Sequence, residues 1–427
     1  MTAEGLTPAE RSNFRHLYAD VFWFGVLAGS LMAFMTVFAA RQGASSFHLG
    51  LISAGPGIVN LALSLPAGRW LEGRSNVSVS YWTSVAGRLG YLVLIPLPAL
   101  FGEQVQIWVL ILVTLLISVP GTILAIAFNA MFADLVAPAW RATVVGRRNV
   151  LLAISMIITS LACGQILDRL PFPLNYQFVF ALGVLGALMS SYHLGRLRLT
   201  GAIPNRIGKP ILDFARPGLL RFTDSFRMPA GLRYLTRGSG KPLLRLDVLR
   251  GPFGLFMLSY LAFYTFQYLP IPIFPIFFVR ELNLTDGQIS LGSALFYVSM
   301  MLTSFTVTAL TNRLRHRGVL ILGAFLYGLY PMVNTLARDV SLYMVASLIG
   351  GVMWALTNAG LLNRLMERVP EDDRPAHMAI HNLVLNFGIL AGSLSGPVMV
   401  EWLGIRSMLW WSAGLRFLAA IIFLFFA

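Results

Sequence analysis

Stretches long and apolar enough to cross a bilayer recur twelve times along this chain, and this feature limits the fold more than any other. A transmembrane helix takes about 20 mostly apolar residues, because each residue of an α-helix rises about 1.5 Å. The sequence therefore predicts an all-α integral membrane protein. Its twelve predicted helices are Leu17–Ala40, Phe47–Leu71, Ser80–Phe101, Val105–Ala133, Asn149–Leu167, Tyr176–Leu197, Phe253–Val279, Ile289–Thr311, Val319–Leu336, Ser341–Met366, Met378–Trp402 and Ser407–Ala427.

The composition excludes the soluble classes of protein. The chain is 57% hydrophobic and 12% charged, whereas soluble domains are about 45–50% apolar and about 25% charged. A cytosolic enzyme, a nucleic-acid-binding module and a disordered chain are therefore excluded. Cys163 is the single cysteine, so a disulfide framework and a cysteine-based metal site are excluded as well. We expect no cofactor.

The distribution of lysine and arginine predicts the orientation of the helices. With the N-terminus inside, cytoplasmic segments hold 25 of the 32 basic residues and outer loops hold five. Basic residues accumulate in cytoplasmic loops, so we expect a cell-membrane protein with both termini cytoplasmic. The five outer ones are Arg41, Arg169, Arg280, Arg338 and Arg406. The net charge of +14 thus indicates topology and attraction to anionic inner-leaflet lipids, and no nucleic-acid partner is expected.

A basic stretch between the sixth and seventh helices divides the chain. We predict an N-terminal six-helix half over residues 1–197, a basic cytoplasmic linker over 198–250 and a C-terminal six-helix half over 251–427. Within the linker, Ile211–Phe226 alternates apolar side chains with Asp213, Arg216 and Arg221. This spacing is typical of an amphipathic helix on an anionic lipid surface. The alternative is a plain linker with a few apolar residues.

The two halves repeat each other in sequence. An offset of 240 aligns Leu49 with Ile289 and Ala54 with Ala294. At an offset of 233, four polar positions match at equivalent places in the two halves: Asp134 with Glu367, Arg141 with Arg374, Asn149 with Asn382, and Asp168 with Glu401. Parallel six-helix repeats joined by a long cytoplasmic connection are a transporter architecture.

With these features the chain resembles the major facilitator superfamily over essentially its whole length. The family's signature after the second helix is G-x-L-x-D-R-x-G-R-R. Here Gly68 matches, Glu72 replaces the aspartate and Arg74 supplies a base one place late, while the second glycine and the terminal basic pair are missing. The copy in the second half has Asn312 in place of the acid, followed by Arg313. The resemblance implies a transporter whose two pseudo-symmetric halves rock around a central site.

The resemblance also implies a latch that joins the halves on the inner side when the transporter opens outward. A carboxylate at a helix end accepts hydrogen bonds from arginine and from the N-terminus of a neighbouring helix. We predict that Glu72 is this carboxylate. The other gating candidates here are Gly68, Arg74, Arg141, Arg147 or Arg148, Asn312, Arg313 and Arg374. The alternative is that these residues only set topology at short inner loops.

Two features that often occur in the family are absent. The fourth helix contains no arginine, and the fifth lacks the glycine run that ends in Gly-Pro. The eleventh helix carries the corresponding stripe instead, with Gly388, Gly392 and Gly396 followed by Pro397. Small residues at every fourth position allow close approach between helices, so we expect this stripe to pack the two halves together.

Charges inside the membrane are functional candidates, because a charge at mid-bilayer costs about 3 kcal/mol or more. Arg88 and Arg416 lie within the predicted third and twelfth helices. In the resembling fold these helices stand outside the central bundle, so we expect structural roles, with Arg88 satisfied by Asp20 or by carbonyl groups. Asp20 and Arg88 stay coupling candidates, since a pair of them facing the cavity would carry protons.

The resembling fold lines its central path with helices one, four, seven and ten. Tyr264, Gln267 and Tyr268 share one helix face, and the prolines from Pro270 onward predict a break with freed carbonyl groups above them. The predicted substrate contacts are Ser30, Asn129, Tyr264, Gln267, Tyr268, Trp354 and Asn358. The alternative for this aromatic stripe is packing.

A histidine pair at the start of the eleventh helix has the spacing of a metal pair. His377 and His381 lie one turn apart, but no third ligand accompanies them. We therefore expect a solvated helix face there and no metal site.

Together these observations predict a secondary transporter that moves a small molecule by alternating access, and not an enzyme. The phosphate-binding motif of an ATP-driven pump does not occur. Because the path helices offer no acid or base at mid-depth, their aromatic and methionine surface favours an apolar or amphipathic solute. The alternative is a transporter-shaped accessory protein that handles lipid or pigment or scaffolds a membrane complex.

Overall fold

A computed structural model describes residues 7–71, 73–198, 246–370 and 374–426. Most of the basic linker, with the amphipathic helix predicted at Ile211–Phe226, lies outside the described residues, and so does Glu72. What is described consists mainly of long helices joined by short turns.

Six helices form the N-terminal half. Thr7 and Glu10 form a capping box that starts the first helix nine residues before the predicted span. Pro138 occupies the first turn of the fifth helix, which starts eleven residues early. The helices are α1 (Pro8–Arg41, with a π-helical turn at Ala28–Met32), α2 (Ser46–Trp70), α3 (Asn76–Leu89, followed by short turns to Leu100), α4 (Glu103–Leu135), α5 (Pro138–Arg169) and α6 (Leu174–Gly195).

The C-terminal half follows the same plan with two irregular places. α7 (Pro252–Tyr268) is interrupted before a second segment, Phe274–Ile276 with a π-helical turn at Phe277–Glu281. A 51-residue helix, Asp286–Leu336, changes direction at Arg315, whose φ is 59° and ψ is 169°; we call its parts α8 (286–314) and α9 (316–336). The remaining helices are α10 (Val340–Arg368), α11 (Arg374–Leu403) and α12 (Ile405–Phe426).

These helices confirm the predicted all-α fold with twelve membrane passes. In the described chain, ten helices are long and apolar enough to span a bilayer. One of them is the 51-residue helix that contains α8 and α9, and α7 adds a further pass although its first segment has only 17 residues. Following the predicted orientation, we call outer the end with turns 42–45, 101–102, 170–173, 282–285, 337–339 and 404.

The two halves repeat each other in their side-chain contacts as well as in their sequence. The amide of Asn76 donates to Asp134, 3.1 Å away, and at the positions 240 and 233 residues later His316 lies 3.9 Å from Glu367. The turns that start α2 and α8 also match. Ser45 and His48 bond each other as Thr285 and Gln288 do, again at an offset of 240. The two offsets found in the sequence therefore describe two copies of one local structure.

The glycine stripe of α11 packs on α7 within its own half, so the prediction that it joins the two halves was wrong. A Cβ at Gly392 would collide with the Thr265 carbonyl oxygen, and one at Gly388 would lie 2.9 Å from Tyr264 Cβ. A neighbouring face of α11, with Ser393 and Pro397, meets the other half. There a Cβ at Gly50 would lie 2.9 Å from Pro397.

Candidate functional site

The residues of α7 that are predicted to contact the solute share one face of the helix. The rings of Tyr260, Tyr264 and Tyr268 follow one another with centroid separations of 4.6 and 6.2 Å, as their spacing of four residues requires. Tyr264, Gln267 and Tyr268 are partly buried. The Gln267 amide donates to the hydroxyl of Tyr327 on α9 at 3.2 Å. This face thus offers stacked rings with an amide at one end.

The other predicted contacts lie on three different helices. Trp354 and Asn358 on α10 are partly buried, and the Asn358 amide donates to the Trp354 carbonyl at 2.9 Å. Asn129 on α4 is partly buried as well. Ser30 differs, because it is fully buried. Its hydroxyl donates to the Val26 carbonyl at 2.6 Å and lies between α1 and Gly183 of α6, so it does not contact a solute in this conformation.

Asp20 is held by a partner that the sequence analysis did not expect. Its carboxylate accepts from Arg148 of α5 at 3.3 Å and from Ser190 of α6 at 2.5 Å. The Arg148 guanidinium also lies 4.8 Å from the ring of Phe128 on α4. Arg88 donates to the hydroxyl of Ser191 at 2.9 Å. The Asp20 carboxylate is therefore engaged by arginine within the N-terminal half.

Arg74 and Arg141, two of the predicted latch partners of Glu72, bond residues of the N-terminal half to which they belong. Arg74 bonds the Trp70 carbonyl and stacks on the Trp70 ring. Arg141 donates to the carbonyls of Val136 and Ala133, which caps the end of α4. Gly68 lies in the last turns of α2, Asn312 and Arg313 are exposed at the end of α8, and Arg374 is the first residue of α11. The latch stays a prediction, because Glu72 lies outside the described residues.

At the outer end, an ion pair and several hydrogen bonds join the two halves; we call this group the outer seal. Arg41 at the end of α1 donates to Asp286 and to the Leu284 carbonyl, both at 2.8 Å. The Tyr176 hydroxyl of α6 donates to the second carboxylate oxygen of Asp286 at 3.0 Å. In the opposite direction, Arg280 donates to the Ala40 and Ala44 carbonyls at 3.1 and 2.8 Å.

Asp168 extends the outer seal to the start of α8. It accepts from the Gly287 backbone N–H and from the Thr285 hydroxyl, each at 3.0 Å. A carboxylate suits this place because the first N–H groups of a helix lack partners and carry partial positive charge. Around these residues lies a cleft of about 430 Å³ that also includes Gln42, Asn175 and Asn283.

Arg41, Arg280 and Asp168 of the outer seal were predicted without a role in gating, and Asp286 was not among the candidate residues. Arg41 and Arg280 counted only as outer basic residues, and Asp168 only as a member of the repeat. An indication of this role was nevertheless present in the sequence. Basic residues are rare in the outer loops, so an arginine there is a candidate for a specific contact.

One arginine and two histidines are buried between helices of the C-terminal half. Arg416 of α12 is 1% exposed and donates to backbone carbonyls of α7 and α9. His377 and His381 are 7% and 3% exposed, so the predicted solvated face was wrong. Their rings pack against Phe253 and Tyr260 of α7, each at 4.6 Å. Among the described residues no cluster of three metal-binding side chains occurs.

Comparison with known proteins supports the resemblance found in the sequence. Residues 256–427 match the family model described as Major Facilitator Superfamily. The quinolone resistance protein NorA of Staphylococcus aureus is 23% identical over 133 residues, which cover 31% of this chain and 34% of NorA. The match thus spans about a third of the length of the curated relatives.

Solved structures share the fold across nearly the whole chain. A bacterial homologue of the iron transporter ferroportin in its inward-facing state superimposes with a TM-score of 0.71 and 14% identity, over 99% of both chains. Its outward-facing state with soaked iron gives 0.55 and 15% identity over 99% of both chains. The nucleoside transporter NupG gives 0.67 and 11% identity, over 98% of this chain and 99% of its own. The chain therefore shares the fold of these solved transporters, and its TM-score is higher with the inward-facing ferroportin homologue than with the outward-facing one.

Proposed function

We propose that this protein is a secondary transporter of the major facilitator type that moves a small apolar or amphipathic solute across the cell membrane by alternating access. The observation that carries the proposal is the outer seal, which joins the halves at one end of a path lined by the α7 face. A seal made of one ion pair and several hydrogen bonds between the two halves can form and break as a unit, as alternating access requires. The predicted cytoplasmic position of both termini makes the present conformation the inward-facing one.

The α7 face supports the proposed class of solute. Tyr264 and Tyr268 offer ring faces and Gln267 offers an amide, which together suit an apolar body with one polar end. Asp20 pairs with Arg148, and Arg416 donates to backbone carbonyl groups. All three charges therefore have partners before any solute enters. The relative named for quinolone resistance fits this class, since a quinolone is a compact aromatic molecule.

Flux into proteoliposomes tests the proposal. The probes are a fluorescent quinolone, a neutral aromatic dye such as Nile red, and glucose as a fully polar solute. We expect protein-dependent movement of the aromatic probes and none of glucose. Gln267→Leu should raise the half-saturating concentration several-fold, by the loss of about 1 kcal/mol of hydrogen bonding.

A matched control is Gln104→Leu, which removes an exposed amide at the outer end of α4. It should leave transport unchanged. Absence of flux for every probe, together with co-purification of a membrane complex, would favour the accessory-protein interpretation.

A further inference from the structure

The two segments of α7 contribute to two different features, the predicted path and the outer seal. The inner segment, Pro252–Tyr268, carries Tyr264, Gln267 and Tyr268 on the path. The outer segment carries Arg280, which reaches the Ala40 and Ala44 carbonyls of the other half. Whatever sets the angle between these segments therefore sets how the path and the outer seal are positioned relative to each other.

A single side chain from α12 binds the end of the inner segment, immediately before the break. The three nitrogens of the Arg416 guanidinium donate to three backbone oxygens: Nε to Phe266 at 3.3 Å, Nη1 to Tyr327 at 3.1 Å and Nη2 to Gln267 at 2.5 Å. The guanidinium carbon also lies 5.5 Å from the centre of the Tyr327 ring. Arg416 thereby links the end of the inner α7 segment to α9.

The sequence explains why these three oxygens are available. Proline has no backbone N–H, so Pro270 leaves the Phe266 carbonyl and Pro331 leaves the Tyr327 carbonyl without its helical partner. The inner segment ends at Tyr268, which leaves the Gln267 carbonyl beyond the last helical bond. Lipid offers no donors, and a buried guanidinium without acceptors is equally unfavourable. The cation and the freed carbonyls therefore stabilise each other.

We propose that Arg416 is a positioning residue that fixes the angle between the two segments of α7 and so keeps the outer seal closed over the path. The inference rests on the proposed transport function for its purpose, although its geometry does not depend on the solute. Gln267 is held twice by this arrangement, through its backbone oxygen by Arg416 and through its side chain by Tyr327. Arg416 bonds α7 through the backbone oxygens of Phe266 and Gln267, whereas a solute would touch the side chains of the α7 face, so Arg416 acts through α7.

Thiol labelling of the outer seal tests the proposal without any substrate. In a Cys163→Ala background, a cysteine replaces Ala44, which is fully buried beneath the outer seal. The protein is placed in lipid nanodiscs and its reaction with a charged maleimide is timed. In Arg416→Met we expect labelling about tenfold faster, the change in population that about 1.4 kcal/mol produces. Arg280→Met, which removes two hydrogen bonds of the seal itself, serves as the positive control.

Arg88→Met is the matched negative control. It also removes a buried arginine from a membrane helix, but that arginine bonds Ser191 in the N-terminal half. Its labelling rate should equal that of the parent even if its melting temperature falls. If Arg416→Met does not fold, Arg416→Lys replaces it, with an expected increase of about threefold because an ammonium group reaches fewer of the three oxygens.

Wild-type labelling in a folded Arg416 variant would overturn the proposal, provided that Arg280→Met labels faster. Equal acceleration in Arg416→Met and Arg88→Met would also overturn it, because the effect would then be general loosening. Faster labelling in Arg416→Met combined with no transport of any probe would count against the proposed function and leave the positioning role standing.

Discussion

Neutralising Asp286 should open the outer end of the molecule. Asp286 bonds both Arg41 and Tyr176, and its side chain is 7% exposed while that of Arg41 is 30% exposed. Exposed ion pairs contribute about 0–1 kcal/mol, and breaking a buried pair costs about 3–5 kcal/mol. This pair lies between those limits, so Asp286→Asn should weaken the outer seal by about 1–3 kcal/mol. The corresponding shift in the ratio of closed to open outer ends is about 5- to 150-fold.

Spin-label distances measure this shift directly. Labels at exposed positions Glu103 and Arg338 report on the separation of the two halves at the outer end without touching the seal. We expect Asp286→Asn to add a population at longer distance. Glu281→Gln is the control, since Glu281 pairs with Arg406 at the same end but inside the C-terminal half. An unchanged distance distribution in Asp286→Asn, or the same change in Glu281→Gln, would refute the assignment of Asp286 to the seal.

Three further outcomes are expected. Gly392→Ala should lower the melting temperature in a thermal unfolding assay, because a Cβ there meets the Thr265 carbonyl, whereas Gly414→Ala, which has open space, should not. Asp20→Asn should leave flux of the aromatic probes largely independent of a pH gradient; flux that requires the gradient and is lost in this variant while the protein stays folded would contradict the proposed solute class. For topology, single cysteines in a Cys163→Ala background should react with an impermeant reagent outside cells at Ser45, Glu103 and Asn283 and not at Ser75, Gly238 and Asp372, and outside labelling at Gly238 would refute the orientation.

The positions of the helices follow from the sequence because every helix that spans a bilayer needs about 20 mostly apolar residues. Apolar length alone located the spans, and the residue matches at two offsets located the repeat. Even Pro270 correctly marked the break in α7, because the loss of an N–H is a local property.

Pairing between distant side chains did not follow from the sequence. Arg41 lies 245 residues from Asp286, and nothing near either residue indicates which outer turns meet. The carbonyls freed in α7 were expected to line a cavity, and two of them instead bond Arg416, which comes from a helix about 150 residues away. His381 was misjudged for the same reason, since its burial depends on Tyr260 of another helix.

The contacts between the two halves come in pairs, as they would in a twofold-symmetric dimer. A Cβ at Gly50 would meet Pro397, and at the equivalent positions one at Gly164 would meet Ser290. When one surface is present in two copies related by a twofold axis, each contact occurs twice with the two partners exchanged.

That duplicated symmetry fails at one place in the outer seal. Asp168 receives the N–H of Gly287, but its counterpart Glu401 is exposed and, within the described residues, forms no bond with Phe47. Arginines reach the carbonyls before both helix starts, Arg41 at Leu284 and Arg280 at Ala44, but in the described part of the chain only the start of α8 also receives a carboxylate from the other half. An assembly with two equal edges has no preferred side on which to part, whereas the two outer edges of this chain differ by one carboxylate contact.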